Sequence, residues 1–192
     1  VHAIGNVAVF DTETKIPPEK ISFALNQRLP EDIRIQKSEE VSTDFHPRYC
    51  NSKKTYEYKI LNRRFPNPMV RLYTHFVYMP LDVELMKEAA GYIVGEHDFA
   101  SFCSAGSQVK TTVRTIYELD INKENDIIAI KISGNGFLYN MVRIIVGTLM
   151  KVGLKVYPPE HVKEIIEAKD RYMAGPKAPA KGLTLVGIEY QE

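Results

Sequence analysis

The sequence predicts an α+β fold, an antiparallel sheet with helices packed on one face. Two observations carry this reading. Segments that alternate apolar and polar residues come in pairs across short polar turns, as in VRTIYELDI, NKEND and IIAIKIS, which is the pattern of antiparallel hairpins. Between such pairs lie segments whose apolar residues recur at helical spacing, so the order is ββα, ββαα, β and not the regular alternation of a parallel sheet.

The elements follow in order. In a first block, residues 1–43, VAVFDTE reads as a strand, Pro17 and Pro18 open a helix with Ile21, Ala24, Leu25 and Leu29 on one face, and Asp32 to Ser38 returns as a strand. The second block, residues 44–192, opens with KKTYEYKI, where period-two alternation puts Lys54, Tyr56, Tyr58 and Ile60 on one face. RLYTHFVYM is the next strand. A helix starts near Asp82, carries Leu85, Met86, Ala89, Ala90, Ile93 and Val94 at helical spacing, and stops at Gly95. After the loop FASFCSAGSQVKT and the hairpin, Tyr139 to Val152 forms one helix, Pro158 and Pro159 open another through Ala168, and KAPAKG leads to the closing strand LTLVGIEY.

Several function classes are excluded by composition and motif. With 192 residues, 44% of them hydrophobic and 26% charged, the chain belongs with folded globular proteins, as one large domain or two small ones. It has no apolar run of membrane-spanning length and no signal-peptide pattern at its start, and it reads as cytosolic. Cys50 and Cys103 are far apart and outside any CxxC, so free thiols are expected. A net charge of +1 means that any RNA contact must come from a local patch. ISGNGFLY places Tyr139 where a dinucleotide fingerprint needs its third glycine, GEHDF lacks the HExxH spacing of a metal site, and no GxSxG elbow occurs.

Two groups of residues invite a second reading. Asn140, Arg143, Gly147 and Lys151 share a helical face among Met141, Val142, Ile145, Val146 and Leu149. The bland reading is a solvent stripe on a core helix; the sharper one is an arginine held to grip a carboxylate in a pocket with its planar fork. Tyr56 and Tyr58 pack a core on the first reading. Their cationic neighbours Lys53, Lys54, Arg63, Arg64 and Arg71 suit them instead for stacking on unpaired bases and neutralising phosphates.

The strings VHAIGNVAVFDT, DFHPRYCNSKKTYEYKI, GEHDFASF, TVRTIYEL, GNGFLYNMVRIIVGTLMKVG and GLTLVGIEY, in this order along the chain, resemble bacterial tRNA pseudouridine synthases of the TruA family. The resemblance implies two similar α/β halves meeting at a basic cleft, the first incomplete here and the second complete. It also implies a homodimer that binds tRNA and converts uridines on the 3′ side of the anticodon arm to pseudouridine, without cofactor or metal. The family signature GRTDAGVHA is represented only by Val1-His2-Ala3, so its nucleophilic aspartate would lie three residues before Val1, and the chain alone is expected to be inactive. By the same resemblance Tyr56 is the active-site tyrosine and Arg143 the partner of the catalytic aspartate. Arg48 and Leu183 fall on cleft positions, and Lys54, Tyr58 and Arg114 join them as expected substrate contacts. A noncatalytic RNA-binding module with the same fold is the alternative.

Overall fold

A computed structural model of the chain describes residues 1–106 and 109–190. The described chain forms two compact units, Val1–Asn6 with Asn51 onward, and Val7–Cys50.

The larger unit is organised by its sheet. The strands are β1 (His2–Ala3), β2 (Ser52–Asn62), β3 (His75–Val77), β4 (Gly95–Asp98), β5 (Val113–Glu124), β6 (Ile127–Gly134) and β7 (Leu183–Tyr190), in the order β1-β7-β2-β6-β5-β4. β2 lies inside the sheet. One of its edges pairs with β6; the other is taken by β7 along Ser52–Tyr58 and by β3 along Ile60–Asn62. The expected antiparallel sheet is found, with two short parallel additions, β1 on β7 and β3 on β2.

Alternation sets which side chains meet the core. In β6, Ile128, Ile130 and Ile132 are buried while Lys131 is exposed. This face joins Tyr58, Ile60 and Ile116 with side chains from three helices: Met86, Ala89 and Ala90 of α2 (Val83–Gly91), Ile144, Ile145 and Leu149 of α3 (Met141–Gly153), and Val162 and Ile165 of α4 (His161–Ala168). Asp82 starts α2 by accepting a hydrogen bond from Leu85 N–H, satisfying one of the unpaired donors of the first turn. In α3 only Arg143, Met150 and Lys151 escape burial, so the stripe is interrupted at Gly147, which is covered, and Arg143 and Lys151 are its half-buried members within the helix.

The hairpin turn is tighter than NKEND suggested. β5 and β6 run on to Glu124 and Ile127, leaving Asn125 and Asp126 as a two-residue turn, with Asn125 at φ 51°, a conformation asparagine tolerates. The helix expected to stop at Gly95 ends at Gly91; Gly95, at φ 115°, bends the chain into β4, a strand the sequence reading did not anticipate. RLYTHFVYM contributes only His75–Val77.

In the smaller unit, residues 18–20 form a single 3-10 turn leading into α1 (Ile21–Asn26), as the proline pair predicted. Neither VAVFDTE nor the segment from Asp32 to Ser38 forms a strand, and Asp32 belongs to a turn closed by Ile33 N–H on Pro30 O. Side chains hold this unit instead: Asn26 and Ile35 exchange two 2.9 Å hydrogen bonds, and Ser38 Oγ donates to Pro18 O and accepts from Ser22 N–H. β-propensity alone does not make a strand without a partner to pair with.

Candidate active site

The first residues of the candidate site sit on β2. Tyr56 and Tyr58 lie two apart on one face, and Lys54 precedes them. Tyr56 is half-buried, its ring meeting Phe137 edge to face at 5.1 Å between centroids. Burial raises its hydroxyl pKa above the ordinary value. Tyr58 is wholly covered and its hydroxyl donates to Pro179 O at 2.7 Å. Burial raises this phenol further, against a smaller opposing pull from the charge of Arg143. A ring with no exposed surface cannot touch a substrate, so the expectation of Tyr58 as a substrate contact becomes a supporting role.

Arg143 enters from the first turn of α3. Its Nε–H donates to Ala178 O at 2.7 Å and its Nη1 to Asn140 Oδ1 at 3.1 Å. Among the described residues no carboxylate forms an ion pair with it, which leaves Nη2 and part of Nη1 for an acceptor supplied from elsewhere. The guanidinium is therefore anchored on one side and open on the other.

The anchor is a backbone strap, residues 174–182, laid directly on α3. Gly175 N–H donates to Thr148 Oγ1 at 2.9 Å and Ala178 N–H to Arg143 O at 3.0 Å. The approach is close enough that a Cβ on Gly147 would lie 1.6 Å from Pro176 O, and one on Gly182 would lie 2.6 Å from the Tyr58 ring. Consecutive strap carbonyls, Ala178 and Pro179, thus hold Arg143 and Tyr58. Leu183, directly after the strap, is 5% exposed and stands opposite Tyr58 in the β2–β7 pairing.

Two cations flank the turn that leads into α3. Lys54 stands opposite Gly134, the last residue of β6, and the Arg114 side chain passes Gly136, 3.6 Å from where a Cβ would sit. Arg114 also donates from Nη1 to Thr111 O and Val113 O. The glycines of ISGNGFLY serve this geometry: Gly134 lets Thr115 O approach to 2.6 Å of its absent Cβ, and Asn135 pairs with Thr115 through both its backbone N–H and its side-chain oxygen.

The larger unit therefore gathers Lys54, Tyr56, Tyr58, Arg114, Arg143 and Leu183, while Arg48 is exposed in the unit Val7–Cys50, its N–H donating to His46 Nδ1 at 3.2 Å. The sequence reading missed the strap carbonyls and the connection of Asn140 to Ser104, 3.1 Å from Nδ2 to Oγ. For the strap the available signal was the density of glycine and proline in MAGPKAPAKG; for Asn140 it was the shared helical face with Arg143.

A family profile described as tRNA pseudouridine synthase matches residues 1–50 and 89–191. The chain belongs to the tRNA pseudouridine synthase family. It is 50% identical over 190 residues to tRNA pseudouridine synthase A of Thermoanaerobacter sp., an alignment covering 99% of this chain and 78% of that protein. The same name belongs to relatives from Acetivibrio thermocellus, 49% identical over 190 residues with the same coverage, and from Bacillus pumilus, 47% identical over 191 residues with 99% and 77% covered. Among the described residues no group of His, Cys, Asp and Glu is arranged to hold a metal ion, and no helix is long and apolar enough to cross a membrane.

Proposed function

We propose that the parent protein isomerises uridine to pseudouridine on the 3′ side of the tRNA anticodon arm, acting in the cytoplasm as a homodimer, with residues 44–192 belonging to its C-terminal half and 1–43 to its N-terminal half. The observation that carries this reading is the half-satisfied guanidinium of Arg143 beside the tyrosine strand. Its open N–H groups suit a carboxylate, and the fork would keep that carboxylate ionised. As nucleophile the carboxylate attacks the nucleoside and the bond from uracil N1 to the sugar breaks; the uracil turns and rejoins the sugar through carbon five, the bond to the carboxylate breaks to free the enzyme, and the proton on carbon five is lost while N1 gains one. Substrate and product are isomers, so no cosubstrate is consumed.

Tyr56 offers the ring against which an extruded base would stack. Lys54 and Arg114 suit phosphates at the rim, Arg48 a further cleft contact, and Leu183 backs Tyr58. The nucleophile is assigned to the parent protein outside these 192 residues.

Tritium release from tRNA labelled at uracil carbon five tests the reading. We expect none from the 192-residue chain, and in the parent protein we expect Arg143→Ala and Arg143→Lys to lower turnover by about a hundredfold or more with tRNA affinity nearly unchanged. Turnover by the chain alone would put the active site elsewhere. A parent protein that binds tRNA and releases no tritium would favour the noncatalytic RNA-binding module.

A further inference from the structure

We propose that Asn140 is a positioning residue for the Arg143 guanidinium and that Ser104 in turn fixes Asn140. This rests on the role given to Arg143 above and adds the parts that aim it.

Asn140 occupies the position before α3 from which an asparagine side chain ordinarily caps its own helix, accepting from the second or third N–H. Here it makes no such bond. The residue has φ 61° and ψ 10°, the left-handed conformation that asparagine and glycine adopt at low cost. Its backbone still starts the helix, with the carbonyl accepting from Ile144 N–H at 3.0 Å, while the side-chain amide turns away to other partners.

Those partners fix which way the amide points. Arg143 has only donors, so its Nη1, 3.1 Å away, requires the Asn140 oxygen on that side. The amide nitrogen then faces Ser104 Oγ at 3.1 Å, which accepts. Ser104 is tied to the same turn a second time, through its N–H to Tyr139 O at 3.0 Å. A chain of hydrogen bonds thus runs from the loop after β4 through Ser104 and Asn140 to the guanidinium, which Ala178 O holds at Nε. Two anchors on different atoms of a planar group fix its rotation as well as its position; with Ala178 alone the fork could swing about Nε. An asparagine serves both demands at once, since aspartate has no donor for Ser104 and would present Arg143 with a rival carboxylate.

The test is Asn140→Gly in the parent protein. Glycine keeps the left-handed backbone and removes only the amide. We expect single-turnover rates to fall by about 10- to 100-fold, tRNA affinity to stay within about twofold, and the acidic limb of the rate profile to move to higher pH, because a loosened guanidinium depresses the nucleophile's pKa less. Ser104→Ala should show the same signature more weakly, and Ser104→Thr, which retains the hydroxyl, should restore the rate. An Asn140→Gly protein with the unaltered rate and acidic limb would overturn the proposal, as would a rate loss matched by lost tRNA affinity. Arg143→Ala separates this outcome from failure of the underlying reading: if that variant is inactive while Asn140→Gly is normal, only the positioning role falls; if it is fully active, both fall.

Discussion

A phenol with no exposed surface has to find its hydrogen-bond acceptor inside the protein, and Tyr58 finds one in the carbonyl next to the one that anchors Arg143. Replacing Tyr58 with phenylalanine leaves Pro179 O without its donor, and we expect a loss of about 1 to 3 kcal/mol in urea unfolding of the 192-residue chain. Unchanged stability would show that water replaces the hydroxyl there. At this scale the site was partly legible in the sequence. Arg143 stood out because an arginine among Met141, Val142, Ile145 and Val146 needs a polar partner, and the alternation of KKTYEYKI put Tyr56 and Tyr58 on one face. That alternation could not tell the half-buried Tyr56 from the covered Tyr58, because period two fixes the face and not the depth. The acceptors at Ala178 and Pro179 were illegible for a different reason: every residue has a carbonyl, so a backbone contact leaves no mark on residue type.

At the scale of elements, the union of α3 with its strap depends on two missing methyl groups, at Gly147 on the helix and Gly175 in the strap. We expect Gly147→Ala, whose Cβ would meet the backbone oxygen of Pro176 at 1.6 Å, to push the strap off the helix and cost about 1 to 3 kcal/mol or more. The carbonyl of Ala178 would leave Arg143 with it, so turnover of the parent protein should fall too. Gly91→Ala is the control, since nothing lies within 4 Å of its Cβ and the helix gains a better former. If the two variants unfold alike, the close approach is not maintained in solution. Elements with a long period were legible: β2, β5, β6, β7, α2 and α3 stand where the sequence puts them, within a few residues. β1 and β4 were not read, because two or four residues carry no period and their existence depends on partners distant in sequence, β7 and β5. The reverse error, strands read at VAVFDTE and after Asp32, has the same cause, since local preference does not supply a partner.

Across the whole molecule, three titrating groups set the response to acid. Asp82 is held below the ordinary carboxylate range by its hydrogen bonds to Lys155 and to Leu85 N–H, and Asp98 by the Thr112 hydroxyl ahead of Lys169. His75 is lowered by burial and then by the charge of Lys181. All three pKa values fall on folding, so the stability they contribute is present above the unfolded values and is lost as pH falls through the folded ones. We expect unfolding free energy to begin declining below about pH 6.5 with His75 and to decline again below about pH 3.9 with the aspartates. A His75→Gln protein that keeps the first decline would remove the histidine from this account. Protection should also be uneven: Val7 to Phe10 have no strand pairing, whereas Ile128 to Ile132 sit between β2 and β5. In a monomeric sample we expect the first set of amides to exchange much faster, and equal protection would mean that the unit Val7–Cys50 is held as firmly as the sheet. The place of β7 has a further consequence, for the order of synthesis. β7, made well after both of its neighbours, lies between β1 and the tyrosine strand β2, and the strap comes just before it. A nascent chain emerges N-terminus first, so until the strap and β7 are free, β2 keeps an open edge, Tyr58 lacks its acceptor and Arg143 its anchor. Closing the sheet and arming the site are then one event, and a chain interrupted before the strap and β7 holds neither Tyr58 nor Arg143 in place.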